Sequence, residues 1–218
     1  MHDKPKEIVE QTYDDIAEWY LDWVKGQDSP RERYTDMVLE NAPPSPRILE
    51  LGCGPGVPIT QRLLKRGAQV VANDISARQL VMARARCPQA TFVQGDMAAL
   101  VFAPLSFDGI ISFYTIFHLP RAEQRAMLCK ISSWLRPGGL FACNLATFDA
   151  EEIHGEFLGH GMFWSSYGVG ENKAMLEAAG MDLVAAEVLE AGDGHLAESD
   201  PDYGVKFLWV VARGSASA

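Results

Sequence analysis

The chain has 218 residues, 48% hydrophobic and 22% charged, and its 29 acids against 19 bases leave a formal net charge of −10. That excludes a disordered chain, and the sign is wrong for a nucleic-acid binder, whose affinity rests on neutralising phosphates. No apolar stretch is long enough for a bilayer, no signal-peptide pattern opens the sequence, and Cys53, Cys87, Cys129 and Cys143 form no Cys-x-x-Cys pair.

The expectation is therefore a single cytoplasmic domain, monomer or homodimer, with no metal, no nucleic-acid partner and no membrane insertion. Arg78, Arg84 and Arg86 lie close together but read as one solvated helix face.

Val9, Thr12, Tyr13, Ile16, Tyr20, Trp23 and Val24 follow 3.6-residue spacing, while Asp14, Glu18 and Asp22 form a separate row that reads as solvated surface. One helix ending at Gly26 is expected. Ser29-Pro30 reads as the cap and first position of another, and the prolines at 43, 44 and 46 mark a linker. From Arg47 strands and helices alternate. Strands are expected at 48–51, 69–73, 91–93, 107–113 and 140–145. Helices are expected up to about Arg66, over 76–86 with Ser76 as cap, and over 121–135. Residues 148–168 read as a loop-rich insertion in which 162–164 is a candidate short strand. A helix over 170–179 and strands at 183–189 and 205–212 follow, the last two pairing as a hairpin at a sheet edge.

This alternation argues for an α/β fold with a mostly parallel sheet. The parts are an N-terminal helical cover (1–42), a core (47–147), a lid-like insertion (148–168) and a C-terminal helix and hairpin (169–213).

In such sheets ligands bind beyond the carboxyl ends of the strands, near the first strand-to-helix turn. Here that turn is Glu50-Leu51-Gly52-Cys53-Gly54-Pro55-Gly56. Its glycines permit a sharp turn and a close approach of backbone to ligand. A nicotinamide dinucleotide fingerprint would put its third small residue at Val57, so the spacing is G-x-G-x-G and not G-x-G-x-x-G. Asp74 ends the second strand, where a carboxylate can accept from both ribose hydroxyls, and Asp96 follows the third, placed to accept from an exocyclic amine. Each acid alone could be a turn or cap residue; three at successive strand ends beside a glycine turn make that joint reading poor.

In order and spacing, ILELGCGPG, VVANDIS, FVQGDM, FDGIISFYTIFHLP and LRPGGLF resemble the successive motifs of class I S-adenosylmethionine-dependent methyltransferases. The resemblance covers roughly residues 10 to 213 and is nearest the small-molecule branch that includes ubiquinone and menaquinone methyltransferases. It implies a Rossmann-like seven-stranded sheet with helices on both faces and an antiparallel last strand. It further implies that Gly52, Cys53, Gly54 and Gly56 form the turn at the methionine part of the cofactor, with Glu50 toward its amino group. Asp74 would take the ribose, Ile75 would pack on adenine, and Asp96 and the Met97 N–H would meet its edge. Ser112, Phe113 and His118 would line the floor. The Tyr13 and Tyr20 hydroxyls would reach the methionine carboxylate from the covering helix.

The cofactor carries a transferable methyl, so the protein's task is binding and orientation. His118 is the candidate general base, although it could equally serve only to shape the pocket. Trp164, His154, His160, Phe117 and Tyr114 are the candidate contacts to a small-molecule methyl acceptor, with Trp164 the leading one. Phe157, Met162, Phe163 and Tyr167 make the insertion unusually apolar. His195 reads as an exposed turn residue. Cys129 in a helix and Cys143 in a strand do not gather the thiolates that arsenite methylation would want. Two rival readings are a nicotinamide-dependent oxidoreductase, opposed by Val57, and a non-catalytic cofactor-binding or regulatory protein of the same fold.

Overall fold

Parallel strands buried on both faces read as near-continuous apolar runs, and the core strands here do so. In the computed structural model, which describes residues 4–26, 29–194 and 196–215, β1 (Arg47–Leu51), β2 (Gln69–Asp74), β3 (Thr91–Gln94), β4 (Phe107–Ser112) and β5 (Leu135–Ala146) pair in parallel. Two further strands, β8 (Met181–Glu190) and β9 (Lys206–Gly214), complete a seven-stranded sheet of order β3-β2-β1-β4-β5-β9-β8. Strand β9 runs antiparallel to both neighbours. The chain order reverses between β1 and β4, which places a crevice above the carboxyl ends of those two strands.

Helices α4 (Ile59–Lys65), α5 (Ala77–Arg86), α6 (Arg121–Trp134) and α7 (Val169–Ala178) stand between their strands at the expected places. Ser76 caps α5 as expected, its hydroxyl accepting from the Gln79 N–H at 3.1 Å. Two buried clusters flank the sheet, one built on Phe107, Ile131, Trp134 and Phe141, the other on Tyr34, Ile48, Leu63 and Trp209.

The N-terminal segment differs from the single helix expected. It is two helices, α1 (Pro5–Asp15) and α2 (Ala17–Gly26), followed by α3 (Arg31–Glu40). Ile16 leaves helical geometry at φ −92°, ψ 6°, so the two halves bury different faces. Val9 of α1 packs with Met162 and Phe163, whereas α2 buries Leu21 and Val24. Asp14 is also not plain surface. Its Oδ1 accepts from the Ser76 hydroxyl at 2.5 Å and the Arg78 N–H at 3.1 Å, tying α1 to the start of α5.

The insertion is ordered as a β-hairpin and not as a loop. Strands β6 (Ala150–Phe157) and β7 (His160–Ser166) pair antiparallel through Leu158 (φ 55°) and Gly159 (φ 80°). Two successive positive φ values give the tight turn whose twist matches a hairpin. Met162 and Phe163 of β7 are fully buried beneath α1. Among the described residues no helix is long and apolar enough to cross a membrane, and no cluster of His, Cys, Asp or Glu could hold a metal ion. His195 lies outside the described residues.

Candidate functional site

The glycine turn is held from beneath by β2. The N–H groups of Gly52 and Cys53 both donate to the Asn73 carbonyl, at 2.8 and 2.9 Å, and the Gly54 N–H donates to Asp74 Oδ2 at 2.7 Å. Gly52, at φ 70°, has no room for a side chain, because a Cβ there would stand 1.9 Å from Thr115 Cγ2. Gly56 faces away from the crevice and packs on α5, where a Cβ would come within 3.2 Å of the Ala83 Cα and the Cys87 sulfur. Its expected position facing the ligand is thus corrected, while Gly52, Cys53 and Gly54 do line the crevice. Gly52→Ala is expected to cost about 1–2 kcal/mol in backbone strain and a further ~1–3 kcal/mol in overpacking, read as a lower urea midpoint with an unchanged slope.

Two buried carboxylates flank this turn. Glu50 accepts from the Thr60 hydroxyl at 2.6 Å, and burial with the nearby Asp74 charge pushes its carboxyl up to about 8. Asp74 accepts from the Ser76 N–H at 2.9 Å through Oδ1 as well as from Gly54, and burial still holds it up, at about 6. Each oxygen of a carboxylate has two lone pairs, so both groups keep acceptor capacity.

Sequence reasoning missed Arg31. It is 5% exposed, its Nε donates to Ser29 Oγ at 3.1 Å, and its guanidinium lies 5.1 Å from the Tyr114 ring centre. It shares the wall of the turn with Glu50 and Tyr20. Gln79 was missed too. A glutamine beside Leu80 and Ala83 on the buried face of α5 was the available signal. Its Oε1 is buried with no hydrogen-bond partner among the described residues, and the residue lines the crevice beside Asp74.

The crevice continues over Ile75, Asp96, Met97 and Phe113. Asp96 is already engaged: Oδ1 accepts from the Ala98 N–H at 2.8 Å, and Oδ2 faces Lys6 Nζ at 2.6 Å. Lys6 reaches from α1 and also pairs with Glu123. Ser112 does not line the crevice. It is fully buried, with its hydroxyl against that of Thr115, so the floor is made by Phe113, Tyr114 and Thr115.

Beyond the floor lies a second cavity of about 280 Å³, walled by Tyr13, Tyr20, Trp23, Tyr114, Phe117, Trp164 and Phe207. Tyr114 stands at φ 59°, a costly conformation for a large residue, fixed by its N–H donating to Asn144 Oδ1 at 2.6 Å. His118 sits between the two spaces. Its Nδ1 is 2.9 Å from the Phe163 carbonyl, which requires the proton there, so Nε2 accepts from the Tyr13 hydroxyl at 3.1 Å. Burial lowers the imidazole to about 4. A neutral ring committed at both nitrogens is a poor general base and a good strut. Tyr13 therefore turns toward His118, and Tyr20 toward Arg31.

His154 and His160 are not in this cavity. His154 is exposed and His160 half-buried, beside Glu152 and Asp15 respectively, and both line the outer groove between the hairpin and α1. Trp164, Phe117 and Tyr114 do line the cavity.

Sheet order, reversed last strand and glycine turn together match a class, that of the class I S-adenosylmethionine-dependent methyltransferases, and the family model and relatives that part of the chain matches are methyltransferases. Residues 48–139 match the family model described as a methyltransferase domain. A protein of Synechocystis sp. described as an uncharacterized methyltransferase is 35% identical over 113 residues, 51% of this chain and 53% of that relative. The demethylmenaquinone methyltransferase of Renibacterium salmoninarum is 29% identical over 63% of this chain and 58% of its own length. The chain thus spans little more than half of these relatives. The 1,6-didemethyltoxoflavin-N1-methyltransferase of Burkholderia thailandensis, solved with S-adenosylhomocysteine, has the same fold, with a TM-score of 0.73 at 18% identity over 97% of this chain and 91% of that one.

Proposed function

We propose that the chain transfers the methyl group of S-adenosylmethionine to a small-molecule acceptor by in-line displacement, with the 148–168 hairpin as the cover of the acceptor site. The observation that carries this is the continuity of two unlike spaces. A crevice edged by buried Glu50, Arg31 and Asp74 meets an aromatic cavity at His118 and the Tyr114 turn.

The residues fit the cofactor chemically. An amino-acid zwitterion suits Glu50 and Arg31 on one wall, a vicinal diol suits Asp74, and the unpartnered Gln79 Oε1 suits a further donor. Ile75 supplies an apolar face for the base, and Asp96 and Met97 meet its edge, with Lys6 yielding or sharing the Asp96 carboxylate. When bound, the sulfonium supplies a methyl that passes to the acceptor's lone pair as the sulfur becomes a neutral thioether.

This chain's own contribution is then placement and exclusion of water. Tyr13 and His118 brace the boundary, and the buried hairpin strand β7 closes over it. His118 acts in this reading as a positioning residue and not as the base. The small-molecule acceptor follows from a cavity closed by aromatic side chains and from the acidic balance of the chain.

A thermal-shift titration tests the reading. S-adenosylhomocysteine at about 100 times its dissociation constant should stabilise the fold by roughly 2.7 kcal/mol, and NAD(H) should not. A shift with NAD(H) alone overturns it.

A further inference from the structure

The aromatic cavity carries one polar atom that has no hydrogen-bond partner among the described residues. Its other polar lining atoms are spent internally. The Ser165 hydroxyl donates to the Leu119 carbonyl at 2.7 Å and the Ser166 hydroxyl to the Phe148 carbonyl at 2.6 Å. Both His118 nitrogens are committed, Tyr20 bonds Arg31, and Tyr114 bonds Ser29. Asp202, from the segment between β8 and β9, lines the same space. Its Oδ2 is buried and has no hydrogen-bond partner among the described residues.

A buried oxygen left unpaired costs on the order of 1–3 kcal/mol, more when charged, so its persistence at a cavity wall calls for a donor from outside the chain. The charges around it favour a cation. Asp200 pushes the Asp202 carboxyl up and Arg31 acts the other way, with burial the largest influence, holding it at about 6. Above that pH it is mainly a carboxylate. The walls facing it are π-systems: Tyr13, Tyr20, Trp23, Tyr114, Phe117 and Trp164. Aromatic faces attract a desolvated ammonium, and here they surround a carboxylate that can pair with it.

Building on the methyl-transfer reading, we infer that the acceptor carries an organic ammonium on an apolar body. The ammonium, which has no lone pair, is the anchor held by Asp202, while the aromatic walls enclose the rest and a separate lone-pair atom of the acceptor takes the methyl. Asp202 is thereby a specificity-determining residue. A neutral acceptor of the same shape would leave its carboxylate desolvated and unpaired, and would be rejected for that reason.

The test compares 2-phenylethylamine with its neutral counterpart 2-phenylethanol by calorimetry, on protein saturated with S-adenosylhomocysteine. The amine should bind about tenfold more tightly or better, the ratio a charge-assisted hydrogen bond supports. Asp202→Asn should collapse that ratio toward one while S-adenosylhomocysteine still binds. Equal binding of the two probes, no binding of the amine, or a ratio that survives in Asp202→Asn overturns the inference. The comparison on unmodified protein stands even if the variant does not fold. The parallel titration with S-adenosylhomocysteine keeps the two readings apart. Its failure overturns methyl transfer and leaves the amine preference to be read from the same two probes titrated into the free protein, whereas binding without amine preference overturns only the assignment of Asp202.

Discussion

Asp74→Ala is expected to weaken S-adenosylhomocysteine binding by about 100-fold or more, measured by calorimetry. Two ribose hydroxyls donating to one ionised carboxylate are worth about 1.5–3 kcal/mol each, and a loss of ~3 kcal/mol is roughly two powers of ten in affinity. The same substitution should change stability much less. It removes the acceptors of the Gly54 and Ser76 N–H groups, which loosens the turn. It also removes a carboxyl that burial holds at about 6, and therefore a charge that the folded protein carries at a disadvantage at neutral pH. These two effects oppose one another, so the urea midpoint should move by no more than the equivalent of ~1 kcal/mol. Asp74→Asn, which keeps one oxygen for the turn, should bind weakly as well, and it carries the test if alanine unfolds the protein. Affinity equal to that of the unmodified protein would remove Asp74 from the ribose site.

What the sequence disclosed of this site follows from which interactions are local. Strand ends, the glycine turn and the Ser76 cap depend on residues within a few positions of one another, and each was legible. Arg31 was not, because its relation to Glu50 and Tyr114 is made by docking α3 across the sheet; its helical phase with Tyr34, Thr35 and Val38 gives the buried face but not what that face meets. Asp202 was missed for the same reason, since only the closure of the β8–β9 connection brings it to the aromatic cavity. Only the 162–164 part of the hairpin is legible as a strand, because the turn is Leu158-Gly159, while the familiar turn signal is Asn-Gly or Asp-Gly, and because β6 alternates weakly, with most of its residues exposed. His154 and His160 were placed on the acceptor side by composition alone. His154 stands opposite Phe163 and His160 opposite Phe157, on opposite faces by the two-residue period, so alternation alone does not place them; both line the outer groove because α1 packs against the hairpin there. The apolar pattern of the first segment held in phase through Ile16, so spacing could not reveal that two helices share it.

Glu50→Gln is expected to separate stability from function. Because the folded-state value of Glu50, about 8, lies above its ordinary 4.5, the folded protein keeps a proton that the unfolded chain releases over that interval. The stabilisation is fully present below about pH 4.5 and is lost as pH rises through 8. The free protein should thus unfold more easily at pH 8 than at pH 5.5 on account of this group, and Gln, which has no charge to bury, should flatten that part of the profile. At pH 8 the variant should be the more stable by the order of 2–4 kcal/mol, since a tenfold change in proton affinity corresponds to about 1.4 kcal/mol and the neighbouring Asp74 and Arg31 charges share the effect. Gln retains an oxygen for the Thr60 hydroxyl, so the turn keeps its support. Binding should go the opposite way, with S-adenosylhomocysteine affinity falling about tenfold as a charge-assisted bond to its ammonium becomes a neutral one. The ammonium would restore the Glu50 carboxylate's lost solvation only when bound, so the free protein bears the cost of a buried, unpaired acid in order to hold the ligand. Urea unfolding at the two pH values, with and without S-adenosylhomocysteine, measures both halves. A variant no more stable at pH 8 would mean that the Glu50 carboxyl is not held up by burial, and unchanged affinity would mean that the ammonium is held elsewhere.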